Sequence, residues 1–141
     1  MNILFFLTPK GSVSYVNDTD TIYKALDTIR HSGYTAIPII TKSGKYIGTI
    51  TEGDFLWNFI DQRKEFSPLV AGNASVSKLK RRFPYRSVNV NANISDLLSL
   101  AYLQNFIPVV DDRGIFIGIV TRQDIMKHYC SDTKPAPALQ A

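Results

Sequence analysis

One stretch of this chain occurs twice. Ile37-Pro38-Ile39-Ile40 returns as Ile107-Pro108-Val109-Val110, and at the same offset of 70 residues Gly44, Ile47, Gly48, Thr51 and Asp54 return as Gly114, Ile117, Gly118, Thr121 and Asp124. Upstream, Ile22 and Leu26 correspond to Ile94 and Leu98 at an offset of 72, so the second copy is two residues shorter between its first helix and its first hairpin strand. A repeat of this kind constrains the fold more than composition does. Each copy must be one supersecondary unit, and a unit this short hides its apolar face only by packing against its twin.

Each copy carries the same local signals. Ile22, Ala25, Leu26 and Ile29 are spaced i, i+3, i+4, i+7, the apolar face of a helix, with Thr19 or Asp20 available to cap its start and Gly33 to end it. Ala36 to Thr41 and Tyr46 to Thr51 are β-rich runs joined through Lys42-Ser43-Gly44-Lys45, where the glycine supplies the positive φ of a tight hairpin. From Glu52 to about Gln62 the pattern is helical again, with Phe55, Leu56, Phe59 and Ile60 for packing. The second copy predicts a helix from Ile94 to Gln104, strands at Ile107 to Asp111 and Phe116 to Thr121, and a closing helix to about Tyr129. Short extended pieces before each first helix, Val13 to Val16 and Ser87 to Val90, complete each small sheet. The fold class is therefore α/β, two β-α-β-β-α repeats. Boundaries fall at 1–65 for the first repeat with its lead-in, 66–80 for a linker, 81–130 for the second repeat, and 131–141 for a disordered tail rich in proline and small residues.

With 141 residues, 45 % of them hydrophobic, the chain can bury a core of its own. Its longest apolar stretches, Ile3 to Leu7 and Phe106 to Val110, fall far short of the roughly 20 residues that span a bilayer. The start of the chain lacks the basic residues and cleavage site of a secretory signal, so the expected location is the cytoplasm. The lone cysteine, Cys130, agrees with a reducing compartment because it has no intramolecular partner. The net charge of +4 is too modest to argue for nucleic acid, but Lys78, Lys80, Arg81, Arg82 and Arg86 concentrate it between the two copies.

The repeated text resembles the tandem cystathionine-β-synthase-type (CBS) domain family, whose paired copies form a pseudo-two-fold Bateman module. Gly33-Tyr-Thr-Ala-Ile-Pro-Ile-Ile with Gly44-Lys-Tyr-Ile-Gly-Thr-Ile-Thr-Glu-Gly-Asp54 carries the likeness, echoed by Phe106-Ile-Pro-Val-Val-Asp-Asp-Arg-Gly-Ile-Phe-Ile-Gly-Ile-Val-Thr-Arg-Gln-Asp124, over residues 5 to 130. The sequence is similar to free-standing CBS pairs of the bacterial type, with no catalytic, channel or DNA-binding domain attached. What the resemblance implies is a non-enzymatic sensor that holds an adenosine-containing ligand, such as AMP, ADP, ATP or cyclic di-AMP, in a cleft between the repeats. It also implies assembly as a homodimer and action on a protein effector. The nucleotide is a regulatory ligand, and no cofactor is required.

The same resemblance assigns candidate site residues. The Thr-x-x-Asp signature that supports the ribose maps onto Thr51 with Asp54 and onto Thr121 with Asp124. A carboxylate accepts from vicinal hydroxyls, and the helix beginning there offers free N–H groups to a phosphate. The spacing is equally that of a helix capping box, which explains it without any ligand. The adenine positions are Tyr34, Thr35, Ala36 and Ile37 in the first copy and Asn105, Phe106 and Ile107 in the second. Ordinary core packing is the competing reading for Ile37, Ile107 and Phe106. For the phosphates the candidates are Lys80, Arg82 and Arg86 of the basic run, with Arg122 or His128. The two clefts are expected to differ, because copy one has Gly-Tyr-Thr-Ala where copy two has only Gln-Asn-Phe.

Signatures of catalysis are missing from the sequence: it has no Cys-x-x-Cys, His-Glu-x-x-His, Gly-x-Ser-x-Gly or Walker loop. Two other readings stay open. One is a ligand-independent oligomerisation or protein-interaction module using Trp57, Phe59 and Ile60; the other is nucleic-acid binding through Lys78 to Arg86, with Phe83 and Tyr85 interleaved.

Overall fold

The structure, a computed structural model, describes residues 2–61 and 73–130. The expected tail at 131–141, residues 66–72 of the expected linker and the helix end at Gln62 lie outside the described residues.

Two sheets carry the two repeats. In the first, strand β2 (Val16–Asn17) lies parallel to β3 (Ala36–Ile40), which pairs antiparallel with β4 (Tyr46–Thr51). In the second, β5 (Val88–Asn89) lies parallel to β6 (Phe106–Val110), and β6 pairs antiparallel with β7 (Phe116–Thr121). Helices α1 (Ile22–Ser32) and α2 (Glu52–Asp61) belong to the first repeat, α3 (Ile94–Ala101) and α4 (Arg122–Tyr129) to the second. The expected β-α-β-β-α order holds in both. Among the described residues no helix is long and apolar enough to cross a membrane.

Two helix boundaries moved for local reasons, and a strand formed through a long-range pairing. Thr21, and not Thr19 or Asp20, caps α1, its Oγ1 accepting the Lys24 N–H at 3.1 Å. Asp20 is turned back onto the Asn17 N–H at 2.9 Å and cannot serve. Gly33 closes α1 at φ 73°, as the sequence requires. Helix α3 stops at Ala101, short of Gln104, because the Leu103 and Gln104 N–H groups both fold back on the Leu100 carbonyl. The third change concerns the first ten residues. Adjacent in sequence to the first repeat, Thr8–Pro9 form a strand, β1, that extends the sheet of the second by pairing antiparallel with β7.

The core follows from the two-residue period of the strands. Ile37 and Ile39 of β3 point into a cluster with Val16, Ile22, Ala25, Ile29, Ile50 and Phe55. Ile107 and Val109 of β6 make the equivalent cluster with Leu97, Val120 and Ile125, and here Ile3 and Phe6 of the N-terminal segment complete it. The opposite faces of the same strands meet in a third cluster, where Ala36 and Ile40 join Phe106, Phe116 and Ile119. Both central strands are thus buried on both sides, and the third cluster is the seam between repeats. At its end the two hairpin loops pair with each other: the Tyr46 N–H donates to the Gly114 carbonyl at 3.2 Å and the Phe116 N–H to Gly44 at 2.9 Å.

Candidate functional site

A cavity of about 510 Å³ opens beside the seam. Its walls come from three parts of the chain: Thr8 and Ser12 to Ser14 of the N-terminal segment; Tyr34, Ala36 and Pro38 at β3; and Asn105, Phe106, Ile119, Thr121, Arg122, Gln123 and Met126 around β6, β7 and α4. The surface is mainly apolar with a few polar groups at its edge, the usual make-up of a small-molecule site.

The polar edge is held by the start of α4. Thr121 caps the helix, its Oγ1 accepting the Asp124 N–H at 3.0 Å. Arg122 follows directly. Its N–H donates to the Asn105 carbonyl at 2.8 Å, which ties the helix start to the entry of β6, and its Nε donates to the Ala101 carbonyl at 2.7 Å. Those bonds fix the guanidinium at the cavity wall with donors to spare. Tyr34 stands at the opposite lip, 56 % exposed.

Behind the seam, burial raises the Tyr85 phenol above its ordinary range, with the Asn105 backbone and the Arg122 charge pulling the other way. Burial likewise pushes Tyr46 up to about 12 against the opposing hydrogen bond from Thr49. Among the described residues no three His, Cys, Asp or Glu side chains are grouped to hold a metal ion.

The family comparison covers most of the molecule: residues 9–61 and 76–131 each match the CBS domain. The chain belongs to the CBS domain family. An uncharacterized protein of Methanopyrus kandleri is 27 % identical over 111 residues, 77 % of this chain and 54 % of its own length. A second curated relative, an uncharacterized protein of Methanocaldococcus jannaschii, is 27 % identical over 92 % of this chain but 32 % of its own length. The chain therefore spans about half of one curated relative and a third of the other. Among solved structures, CbpB in complex with c-di-AMP superposes with a TM-score of 0.82 at 23 % identity, covering 93 % of this chain and 85 % of that one. A CBS domain protein from Streptococcus pneumoniae gives 0.80 at 26 %, covering 90 % and 85 %. CBSX2 in complex with AMP gives 0.73 at 24 %, covering 94 % and 98 %. These likenesses are of fold: a pair of CBS repeats.

Within this CBS pair the expected site residues divide. Tyr34, Ala36, Asn105, Phe106, Thr121 and Arg122 line the cavity together. Ile37 and Ile107 do not; at 1 % and 0 % exposure they are core, because their neighbours in the strand take the cavity face. Thr35 is exposed and uses its carbonyl to hold the first N–H of α2. Thr51 and Asp54 form a reciprocal capping box, with bonds of 3.1 and 3.0 Å, and the other Asp54 oxygen accepts the Arg82 N–H at 2.9 Å. Asp54 is 1 % exposed, with both carboxylate oxygens engaged. Asp124 keeps half of that box and borders a separate hollow with Phe5, Phe6, Leu7, Lys127 and His128.

Of the five candidate phosphate contacts, Arg122 alone reaches the cavity wall. The basic run is no loose linker: three buried polar side chains grip its main chain and turn its cations outward. Asn58 bonds both backbone groups of Lys80, Asp54 takes the Arg82 N–H, and Gln104 brackets Arg86. Lys80 and Arg82 therefore face a polar hollow with Trp57 and Asp61, where the Arg82 guanidinium lies 5.0 Å from the Trp57 ring centre. His128 sits edge-on to Phe5 and Phe6.

Sequence reasoning missed Thr8 and Ser12 to Ser14, whose place in the cavity depends on β1 crossing to the far repeat. It also missed Met126, which the i, i+4 spacing from Arg122 could have flagged.

Proposed function

We propose that this CBS pair is a non-catalytic regulatory module that binds an adenine nucleotide in the cavity between its repeats. The observation that carries the reading is the cavity itself: it lies at the seam of a CBS pair, joins apolar walls from both repeats, and has one guanidinium fixed at its edge. Support comes also from CbpB and CBSX2, solved with c-di-AMP and AMP respectively. In this reading adenine rests against Ala36 and Phe106 with Asn105 at its edge, Thr121 meets the ribose, and Arg122 meets a phosphate. Because both repeats wall the cavity, a bound nucleotide favours whichever arrangement of the pair fits it, and that differential affinity is what a protein effector would read. Homodimer assembly belongs to the same proposal; Leu56, Trp57 and Ile60 on α2 and Met126 and Tyr129 on α4 are its exposed apolar side chains, whereas Phe59 packs inward.

A thermal-shift titration with AMP, ADP, ATP, cyclic di-AMP and GMP tests it. A ligand at 100 times its Kd adds about 2.7 kcal/mol, several degrees in a domain of this size. A shift with an adenine nucleotide and none with GMP is expected. Arg122→Ala should weaken the phosphorylated ligand about tenfold or more while leaving adenosine unaffected, since charge-assisted bonds are worth roughly 1.5–3 kcal/mol. Asp54→Ala is a poor probe, because that carboxylate holds the fold. No shift with any ligand would end the nucleotide reading, and light scattering would then decide whether the chain is an assembly module instead.

A further inference from the structure

The repeat gives each wall residue of the open cavity a counterpart in a twin cleft on the other side of the pseudo-two-fold. At the offsets of 70 and 72, Val13 corresponds to Tyr85, Ala36 to Phe106, Tyr34 to Gln104 and Arg122 to Glu52. We infer that the twin cleft is closed by the chain's own side chains, with Tyr85 as its plug and Gln104 as its latch, so that the pair takes one nucleotide per chain. The inference rests on the nucleotide reading above for its ligand, but the closure stands on contacts alone.

Three of these differences carry the closure: one fills space, one holds the filling in place, and one reverses a charge. Where the open side has the short Val13, the twin has a tyrosine ring 5.1 Å from that of Phe106 and 5.5 Å from that of Phe83. Phe106, 8 % exposed and packed in the seam cluster, walls the open cavity and gives Tyr85 the ring it packs against. Tyr34 is free at the open lip; its counterpart Gln104 is 2 % exposed and fully engaged. Gln104 Oε1 accepts the Arg86 N–H at 3.0 Å, and its Nε2 donates to the carbonyls of Arg86 at 2.9 Å and Phe106 at 3.0 Å. A buried amide with its bonds met is costly to displace, and it fastens the main chain next to Tyr85, so the segment that carries the ring cannot lift away while the latch holds. The charge reverses as well: Glu52 begins α2 where Arg122 begins α4, which sets a carboxylate against any phosphate. Finally, Asp54 is 1 % exposed with both oxygens turned onto backbone N–H groups, so it presents no carboxylate to a ribose.

Isothermal titration of the full chain with AMP tests the count. One site per chain is expected for the natural sequence. Tyr85→Val, which copies Val13, should admit a second, weaker event, and Tyr85→Val with Glu52→Arg should tighten that event about tenfold; Tyr85→Leu serves if the valine variant does not fold. Two sites in the natural chain, or a single site in a folded Tyr85 variant, would overturn the plug. If AMP gives no heat at all, the nucleotide reading fails and the closure is decided without it, by hydrogen exchange at the Arg86 amide. Exchange slowed about a hundredfold or more, and restored by Gln104→Ala, supports the latch; exchange at the rate of an open loop overturns it.

Discussion

Gly48 and Gly118 hold matching places in the two repeats and meet different neighbours. A β-carbon on Gly118 would fall on the Thr8 carbonyl oxygen and crowd Leu7 and Pro9, because β1 lies against it as the neighbouring strand. A β-carbon on Gly48 would meet the Arg81 guanidinium, the far end of a flexible and exposed side chain. Backbone held in a sheet cannot retreat, whereas a guanidinium can. Gly118→Ala should therefore cost about 1–3 kcal/mol, the range for an overpacked site, and Gly48→Ala distinctly less. Urea midpoints of the two variants check this; equal shifts would mean that the β1 crossing is not tight. The sequence shows both glycines as repeated, and nothing in it distinguishes them. The same holds for Asp54 and Asp124, identical in motif, one sealed by Arg82 and the other half open.

Helices, strands and hairpins were legible because their signals are local. Apolar periodicity, the Gly33 stop and the two Gly-containing turns depend on residues within a few positions of one another. Element ends were less so, since Asp20 and Gln104 chose partners that local pattern does not reveal. The second hairpin makes a test at this scale. Asp111 Oδ1 accepts the Arg113 and Ile115 N–H groups at 2.8 and 3.0 Å and organises the turn that pairs with the first hairpin. The Ile115 N–H is the main reason its carboxyl is held below the usual range, with Arg113 adding to it. A lowered folded pKa means stability that is fully present above the ordinary value of about 3.9 and lost as pH falls through the lowered one. Asp111→Asn keeps the acceptor and removes the titration. Its stability should fall less steeply than the natural chain's on acidification below about pH 4, measured by urea denaturation across that range. An unchanged slope would place the acid sensitivity elsewhere.

At the scale of the whole molecule the N-terminal segment matters most. Ile3 is wholly buried and Phe6 nearly so, both in the core of the second repeat, and Thr8 walls the cavity a few residues on. Burying two such side chains is worth roughly 3–6 kcal/mol, a large part of the 5–15 that hold a domain together. A chain lacking residues 1–9 should lose amide protection in β6 and β7 while α1, β3 and β4 keep theirs; equal loss in both repeats would show that the segment has no special tie to the second. The sequence by itself determined the repeat, the α/β order, the family and the residues that alternate into the strand faces, because those follow from short-range chemistry and from comparison of the two copies. Only the tertiary structure decided that the first residues serve the far repeat, that the basic run is gripped and turned outward, and that one cleft is open while its twin is filled. Each of those depends on which groups meet across long separations in the chain. Copies that match in motif came to differ because residues outside the motif differ in size, Val13 walling an open cleft where Tyr85 fills its twin.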